Sequence, residues 1–519
     1  MNRRMLCLLC LCAASAPLLS AQKPATPGAA ETRAARAYDA AVKGGPLTLR
    51  AFLDQFPKGA DLHVHLSGAV YAETFLKDAA EDGLCVDVQT LSLAAPPCTG
   101  LKEPAKDLAP PVTTAEQNFY DRLVNAFSMR SFVPTPGYTG HDQFFSTFNH
   151  FGILSGQHTG EWVDEVALRS ASQNQQYLEL MVTPPYAHAK AIADQIGWNA
   201  DFATMRRELL AHGLRDEVNA DRQLVQQANA DRLRREKCST AQAEPACRVT
   251  VRYLYQVLRR FPPQDVFAQA LLGFETVQAA MQAHDDTWVG INFVMREDGL
   301  LCMRDYTLQM QMVGYLHTLY PQVHISLHAG ELAPGLVPPE GLRFHVRQAV
   351  ELAHAERIGH GVDVMYETGA NQLLREMAAK HVMVEINLTS NAGILGVKGD
   401  EHPFPVYLAH HVPVALSTDD EGVSRIDLTH EYVRAALTYH LSYAQLKMLA
   451  RTGIEHSFLP GASLWAREDA FTEPAAACRG EALGGAHPRP ECIDFLAANQ
   501  KAAEQWKLER RFRAFEAAF

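Results

Sequence analysis

Pro57-Lys58-Gly59-Ala60-Asp61-Leu62-His63-Val64-His65-Leu66-Ser67-Gly68 is the stretch on which the reading of this chain turns. Read as a strand, Ala60 to His65 puts residues two apart on one face, so His63 and His65 can chelate one ion. With 22 histidines in 519 residues, chance supplies roughly one such pair, so the weight rests on residues further along the chain. Three further pieces carry matching chemistry: His328-Ala329-Gly330-Glu331, Gly359-His360-Gly361 and Ser417-Thr418-Asp419-Asp420. Three imidazoles (His63, His65, His328) and one carboxylate (Asp419) suit one divalent ion, zinc before others. Glu331, His360 and Asp420 are left for acid–base and orienting work. For any one of these histidines a hydrogen-bonded core position is the ordinary alternative; the four ligand positions together argue against it.

Seven more segments read as strands: residues 177–182, 249–254, 288–293, 323–328, 357–360, 382–387 and 412–417. Several are short apolar runs, as a buried parallel sheet requires. Helical patterns lie between them, for example over 343–355 and 370–380. Eight strands alternating with helices predict an α/β fold, a (β/α)8 TIM-type barrel. An open doubly wound sheet is the alternative, and no Gly-x-Gly-x-x-Gly turn comes after the first strand to support it. In the barrel, His328 and Asp419 fall at the ends of strands five and eight, on the face where such barrels carry their sites.

The connections 66–176 and 183–248 are long helical insertions after strands one and two. The first carries Phe144, Phe145, Phe148 and Phe151, either a lid over the site or an ordinary helix core. The second holds a polar helix around 215–237. The expected division is a signal peptide over 1–21, an extension over 22–56 that is disordered to about residue 34 and then helical, the barrel over 57–470, and a disulfide loop and helix over 471–519.

Apolar residues make up 47% of the chain and charged residues 20%, with a formal net charge of -12. The basic run 232–237 reads as a solvated helix face, so nucleic-acid binding is not expected. Arg3 and Arg4 precede the apolar stretch 5–19 and the small-residue site Leu19-Ser20-Ala21. That is a cleavable export signal, and the stretch is short for a membrane anchor. Export to the periplasm or outside the cell, with no membrane association after cleavage, is the expectation. Cys85 with Cys98, Cys238 with Cys247 and Cys478 with Cys492 read as local disulfides in an oxidising compartment, with unpaired thiols the alternative. Cys302 is left over, buried or free.

Over residues 57 to 460 the chain resembles the adenosine deaminase family of the amidohydrolase superfamily, most of all its exported, adenosine deaminase growth factor-like members. The motifs that carry the resemblance are Pro57 to Gly68, His328-Ala329-Gly330-Glu331, Arg357-Ile358-Gly359-His360-Gly361 and Ser417-Thr418-Asp419-Asp420. The resemblance implies one Zn2+ per chain on His63, His65, His328 and Asp419. It implies that His360 handles the attacking water, Glu331 protonates purine N1, Asp420 contacts N7 and the backbone of Gly290 meets N3. The implied reaction is hydrolytic deamination of adenosine, and of 2′-deoxyadenosine, to inosine and ammonia. Strand four contains no Lys that could bridge two metals, which favours the single-metal form. One departure stands out: Ser67 occupies a position where many members carry an Asp that contacts the sugar. Two alternatives remain. One is a deaminase of another aminopurine or a purine nucleotide, with Lys398 or Arg425 as the phosphate anchor. The other is an exported binding or signalling protein without catalysis, against which the intact ligand set argues.

Overall fold

The computed structural model describes residues 28–107, 113–154 and 156–519. The signal-peptide reading and the first residues of the extension lie outside them. Eight parallel strands pair in chain order: β1 Gly59–His65, β2 Gln175–Val182, β3 Thr250–Leu258, β4 Trp288–Val294, β5 His324–Ala329, β6 Arg357–His360, β7 Met383–Ile386 and β8 Val414–Leu416. The ends of the sheet meet. Val64 bridges Asp419 in parallel, with His65 N donating to Asp419 O at 3.2 Å and Asp419 N to His63 O at 2.9 Å. The sheet is a (β/α)8 barrel, and all residues of β1 and β2 are buried, as expected where helices cover the outside and side chains fill the inside.

Several boundaries differ from the sequence expectation. β3 runs four residues past 254, because Tyr255, Gln256, Val257 and Leu258 stay paired with Ile291 to Val294. The 66–176 connection contains a small antiparallel sheet, Cys85–Asp87 between Ser92–Ala94 and Lys102–Pro104, which three-residue strands made illegible in the sequence. Helix α1 (Ala29–Lys43) begins inside the stretch expected to be disordered. It buries Ala34, Tyr38 and Ala41, a stripe at helical spacing. Its partner α2 (Pro46–Gln55) comes after a break at Gly44-Gly45, with Pro at the first helical position. The helix expected over 343–355 is confined to His345–Glu351.

Three of the five α-helices described in the first insertion are α3 (Ala72–Glu81), α4 (Gly140–Phe151) and α5 (Thr159–Ser172). A capping box between Thr139 and Asp142 starts α4. The expected tail helix 493–519 is two helices, Pro490–Ala498 and α6, Gln500–Glu516. α6 crosses the N-terminal end of the barrel: Gln176 Nε2 donates to Glu504, and Arg511 Nη1 donates to Gln175 O at 2.9 Å. The disulfides are Cys85–Cys98, Cys238–Cys247 and Cys478–Cys492, and Cys302 is a buried free thiol. Among the described residues no helix is long and apolar enough to cross a membrane.

Candidate active site

At the C-terminal end of the strands a cavity of about 850 Å³ opens onto His65, His328, Glu331, His360, Asp419 and Asp420. Each histidine of the expected ligand set is held from behind. His63 Nδ1 lies 2.5 Å from Glu385 Oε2, so it donates and leaves Nε2 bare. Gln256 spends its amide N–H on Thr183 Oγ1 at 2.8 Å, so its Oε1 accepts from His65 Nδ1 at 2.6 Å. Asn292 likewise donates to Ser326 O, and its Oδ1 takes His328 Nδ1 at 3.0 Å. All three rings therefore turn an Nε2 lone pair inward, the arrangement that orients metal-binding imidazoles.

Those lone pairs converge. His65 Nε2 is 3.1 Å from His328 Nε2 and 3.2 Å from Asp419 Oδ1, and His63 Nε2 is 3.4 Å from the same oxygen. Asp419 Oδ2 accepts from Ser390 Oγ at 2.6 Å, which aims Oδ1 at the rings. Four acceptors so close repel one another unless a cation stands between them. The field of the surrounding carboxylates draws positive charge to this point. Burial opposes charge on His63, yet Asp419 and Glu385 push its pKa up to about 10. Burial together with His63 and His65 drives His328 well down. The donor set fits a divalent ion of the zinc type, with Glu385, Gln256 and Asn292 as its outer shell.

Glu331 and His360 flank this group, with His360 Nε2 3.8 Å from Glu331 Oε1. Burial, then the charges of Asp419 and Glu297, raise the Glu331 carboxyl well above its ordinary range, so it keeps its proton. Glu297 shapes the turn beneath it by accepting from Gly330 N at 2.9 Å and Glu331 N at 2.8 Å. Burial works against Glu297 ionising, but His345 and Arg259 hold it down at about 2. A fixed backbone donor decides the tautomer of His360. Phe404 N donates to His402 Nδ1, His402 Nε2 to Asn391 Oδ1, and Asn391 Nδ2 to His360 Nδ1 at 2.9 Å. His360 is held neutral by burial, its pKa lowered to about 3, and carries its proton on Nε2, which has no partner and faces the site.

Asp420 is buried, and burial plus the Asp419 charge raise it well above the carboxylate range. A Cβ at Gly68 would lie 1.5 Å from Asp420 Oδ1, so glycine at position 68 is what admits this carboxyl to the cavity. Ser67 also lines the cavity.

Gly290 does not belong to the site. It lies in the N-terminal half of β4, where a Cβ would meet His324 O at 2.7 Å and Phe458 at 3.0 Å. The mouth end of that strand presents Val294, Met295 and Arg296 instead, Met295 at φ 134°. The glycine at 290 answers close strand and ring packing. Neither expected phosphate anchor reaches the cavity: Arg425 pairs with Glu73 at 2.9 Å, and Lys398 is not among the lining residues. The cations that do line it are Arg260 and Arg296. Arg296 is bound to Asp298 at 2.8 Å, whereas Arg260 has no acidic partner among the described residues. Phe144, Phe145 and Phe148 line the cavity while Phe151 stacks on Phe75 at 4.4 Å, so α4 is both wall and core.

The outer partners Gln256, Glu385 and Asn391 were not foreseen. A charged residue in the middle of the buried run 382–387 was the available signal for Glu385. The continuing run Tyr255 to Leu258 was the signal for Gln256.

Comparison with known proteins gives this site a lineage. The adenosine deaminase family model matches residues 144–464. Adenosine deaminases of Clostridium perfringens and Escherichia coli are each 36% identical to the chain, over 135 and 137 residues. Those alignments take in 26% of this chain and 37% and 38% of the relatives, so the chain spans little more than a third of the curated relatives' length. An amidohydrolase from Burkhoderia ambifaria solved with bound zinc shares the fold, at 17% identity and a TM-score of 0.50, over 79% of this chain and 88% of that one. The match over 144–464, carrying His328, Glu331, His360, Asp419 and Asp420 at one strand-end cavity, means that the chain belongs to the adenosine deaminase family.

Proposed function

We propose that the protein is a zinc-dependent hydrolase that converts adenosine, and 2′-deoxyadenosine, to inosine and ammonia. The observation that carries this reading is the convergence of three imidazole Nε2 lone pairs and Asp419 Oδ1 beside a carboxyl that keeps its proton. His63, His65, His328 and Asp419 would hold one zinc ion. When bound, the metal acts as a Lewis acid and makes water a nucleophile at neutral pH. Glu331 gives its proton to purine N1 as oxygen adds to C6. His360 Nε2–H donates to the incoming oxygen and fixes its position, a role of orientation and charge stabilisation that its tautomer favours over proton abstraction. Asp420, protonated, donates to N7. The hydroxyl proton of the oxygen added at C6 then passes to N6, the C6–N6 bond breaks and ammonia leaves, while the proton released as water becomes the nucleophile restores the Glu331 acid.

The apolar wall of Phe144, Phe145 and Phe148 suits a neutral nucleoside, whereas uncharged Ser67 would repel a phosphate less than the Asp many members carry there. We expect kcat/KM for adenosine to exceed that for AMP and for adenine by at least roughly tenfold, about 1.4 kcal/mol. Loss of the 6-amino group changes purine ultraviolet absorbance, so spectra recorded with adenosine, 2′-deoxyadenosine, AMP and adenine test this directly. Turnover of none of the four removes the enzyme reading. The second reading, a purine nucleotide deaminase, draws on Arg260, and a preference for AMP would favour it. Export is part of the proposal and is supported by three disulfides. Mass spectrometry of the secreted protein should show a start near Gln22.

A further inference from the structure

Away from the cavity, ligand-type side chains face one another where the first insertion begins and ends. Asp78 and Glu81 lie on α3, His158 just precedes α5, and Glu161 is in the first turn of α5. One candidate ligand atom from each lies within 4.8 Å of the others. Asp78 is 0% exposed; its Oδ2 accepts from Trp162 Nε1 at 2.7 Å and its Oδ1 has no hydrogen-bond partner. His158 Nε2 is held by Asp82 Oδ1 at 3.1 Å, which leaves the Nδ1 lone pair turned inward. Glu161 Oε1 accepts from Lys77, and Oε2, 3.8 Å from His158 Nδ1, takes a long hydrogen bond from Arg235 Nη2 at 3.5 Å. Asp78 and His158 thus each have one atom anchored and one atom aimed at a common point, which Glu161 Oε2 also faces.

The spacing is that of a coordination sphere. His158 Nδ1 stands 3.7 Å from Asp78 Oδ1 and 3.8 Å from Glu161 Oε2, too far for hydrogen bonds. Ligands about 2.0–2.2 Å from a tetrahedral ion lie roughly 3.3–3.6 Å apart, so a shift of a few tenths of an ångström closes the set. A carboxylate behind the imidazole is the arrangement that fixes a ligating tautomer.

We propose that Asp78, His158 and Glu161 bind a second divalent ion of the zinc class, with the exposed Glu81 or water completing its coordination. The ion staples α3 to α5, the last helix of the insertion, across the Phe75–Trp162 contact at 5.4 Å. Two cations flank the site and oppose binding. Lys77 Nζ is 3.8 Å from Asp78 Oδ1 and 3.4 Å from Glu81, and Arg235 Nη2 is 3.5 Å from Glu161 Oε2. The site is therefore weaker than the barrel site and fills only on titration.

Metal-free full-length protein titrated with Zn2+ against a chromogenic chelator tests this. Wild type should take up two equivalents, one tight and one weaker. His158→Gln should weaken the second at least roughly tenfold, and Lys77→Met should strengthen it by removing the competing charge. Turnover should be unchanged in both variants, which also shows that they fold. Uptake of a single equivalent by wild type, a second equivalent indifferent to His158→Gln, or a Lys77→Met variant that binds no more tightly would each overturn the proposal. Anomalous diffraction at the zinc edge from zinc-soaked wild-type crystals needs no variant. A peak between Asp78, His158 and Glu161 supports the site, and a peak at the barrel histidines alone refutes it. None of these readouts depends on which purine the enzyme uses.

Discussion

The barrel buries two clusters of charge, one toward each end, and they are built differently. Toward the N-terminal end Arg357 stands between two carboxylates, 2.6 Å from Glu179 and 2.7 Å from Glu385, with Phe458 3.8 Å beneath its guanidinium. The charges of Glu179 and Glu385 keep the guanidinium protonated against the cost of burial. Glu179 Oε1 also accepts from Tyr177 OH and Phe458 N. At the mouth the Asp419 carboxylate gathers with Glu331 and Asp420, whose carboxyls burial and its charge push toward the neutral form, and no lysine or arginine pairs with any of them among the described residues. His63 Nε2, His360 Nε2 and Asp420 Oδ1 there lack partners. A cluster whose charges match holds a fold together. One that is left open spends stability on readiness for something else.

Glu331→Gln attacks the open cluster at its acid and should have the largest effect. Turnover should fall by up to roughly 10⁴-fold, about 5.5 kcal/mol of transition-state stabilisation, with metal content unchanged. Near-normal kcat would remove Glu331 from the mechanism. Arg357→Met attacks the matched cluster and strands Glu179 and Glu385 together. It should cost about 3–5 kcal/mol of stability, read as a lower denaturant midpoint, and an unshifted midpoint would mean that the pairing carries no weight. Glu385→Gln touches both ends, because the carboxylate that pairs with Arg357 also holds His63. It should weaken zinc binding about 10–100-fold, less than the near-complete loss expected from His63→Ala, and competition with a chelator measures both. The smallest change is expected at Arg260→Ala. Activity on adenosine should stay within about twofold while any activity on AMP drops by up to roughly tenfold; equal losses on both would show that Arg260 does not read a phosphate.

The eight barrel strands were legible because several are short apolar runs and helical patterns lie between them. The convergence of His63, His65, His328 and Asp419 was legible because their spacing along strands and strand ends dictates where they point. What escaped needed tertiary context. Residues 85–104 form strands of three residues, too short for periodicity to register. The start of α1 shows only when Tyr38 is seen to meet Phe52 of α2, with ring centroids 5.8 Å apart. Gly290 looked functional by resemblance, yet a glycine in a barrel strand also answers close packing, and only the distance to Phe458 separates the two. The tautomer of His360 depends on a relay ending at the backbone of Phe404, 44 residues further along the chain.

The seam of the barrel is sewn with the peptide groups of His63, His65 and Asp419. The first strand cannot find its last neighbour until nearly the whole sheet has been made, and such distant pairings are slow to form. Ring closure and assembly of the chelate are thus one event: an unclosed barrel has no site, and a closed one that loses its ion loses a clasp across its own edge. The amides of His65 and Asp419 should therefore exchange with solvent deuterium together, and faster after chelation of the metal, while the Arg357 end of the same strands stays protected.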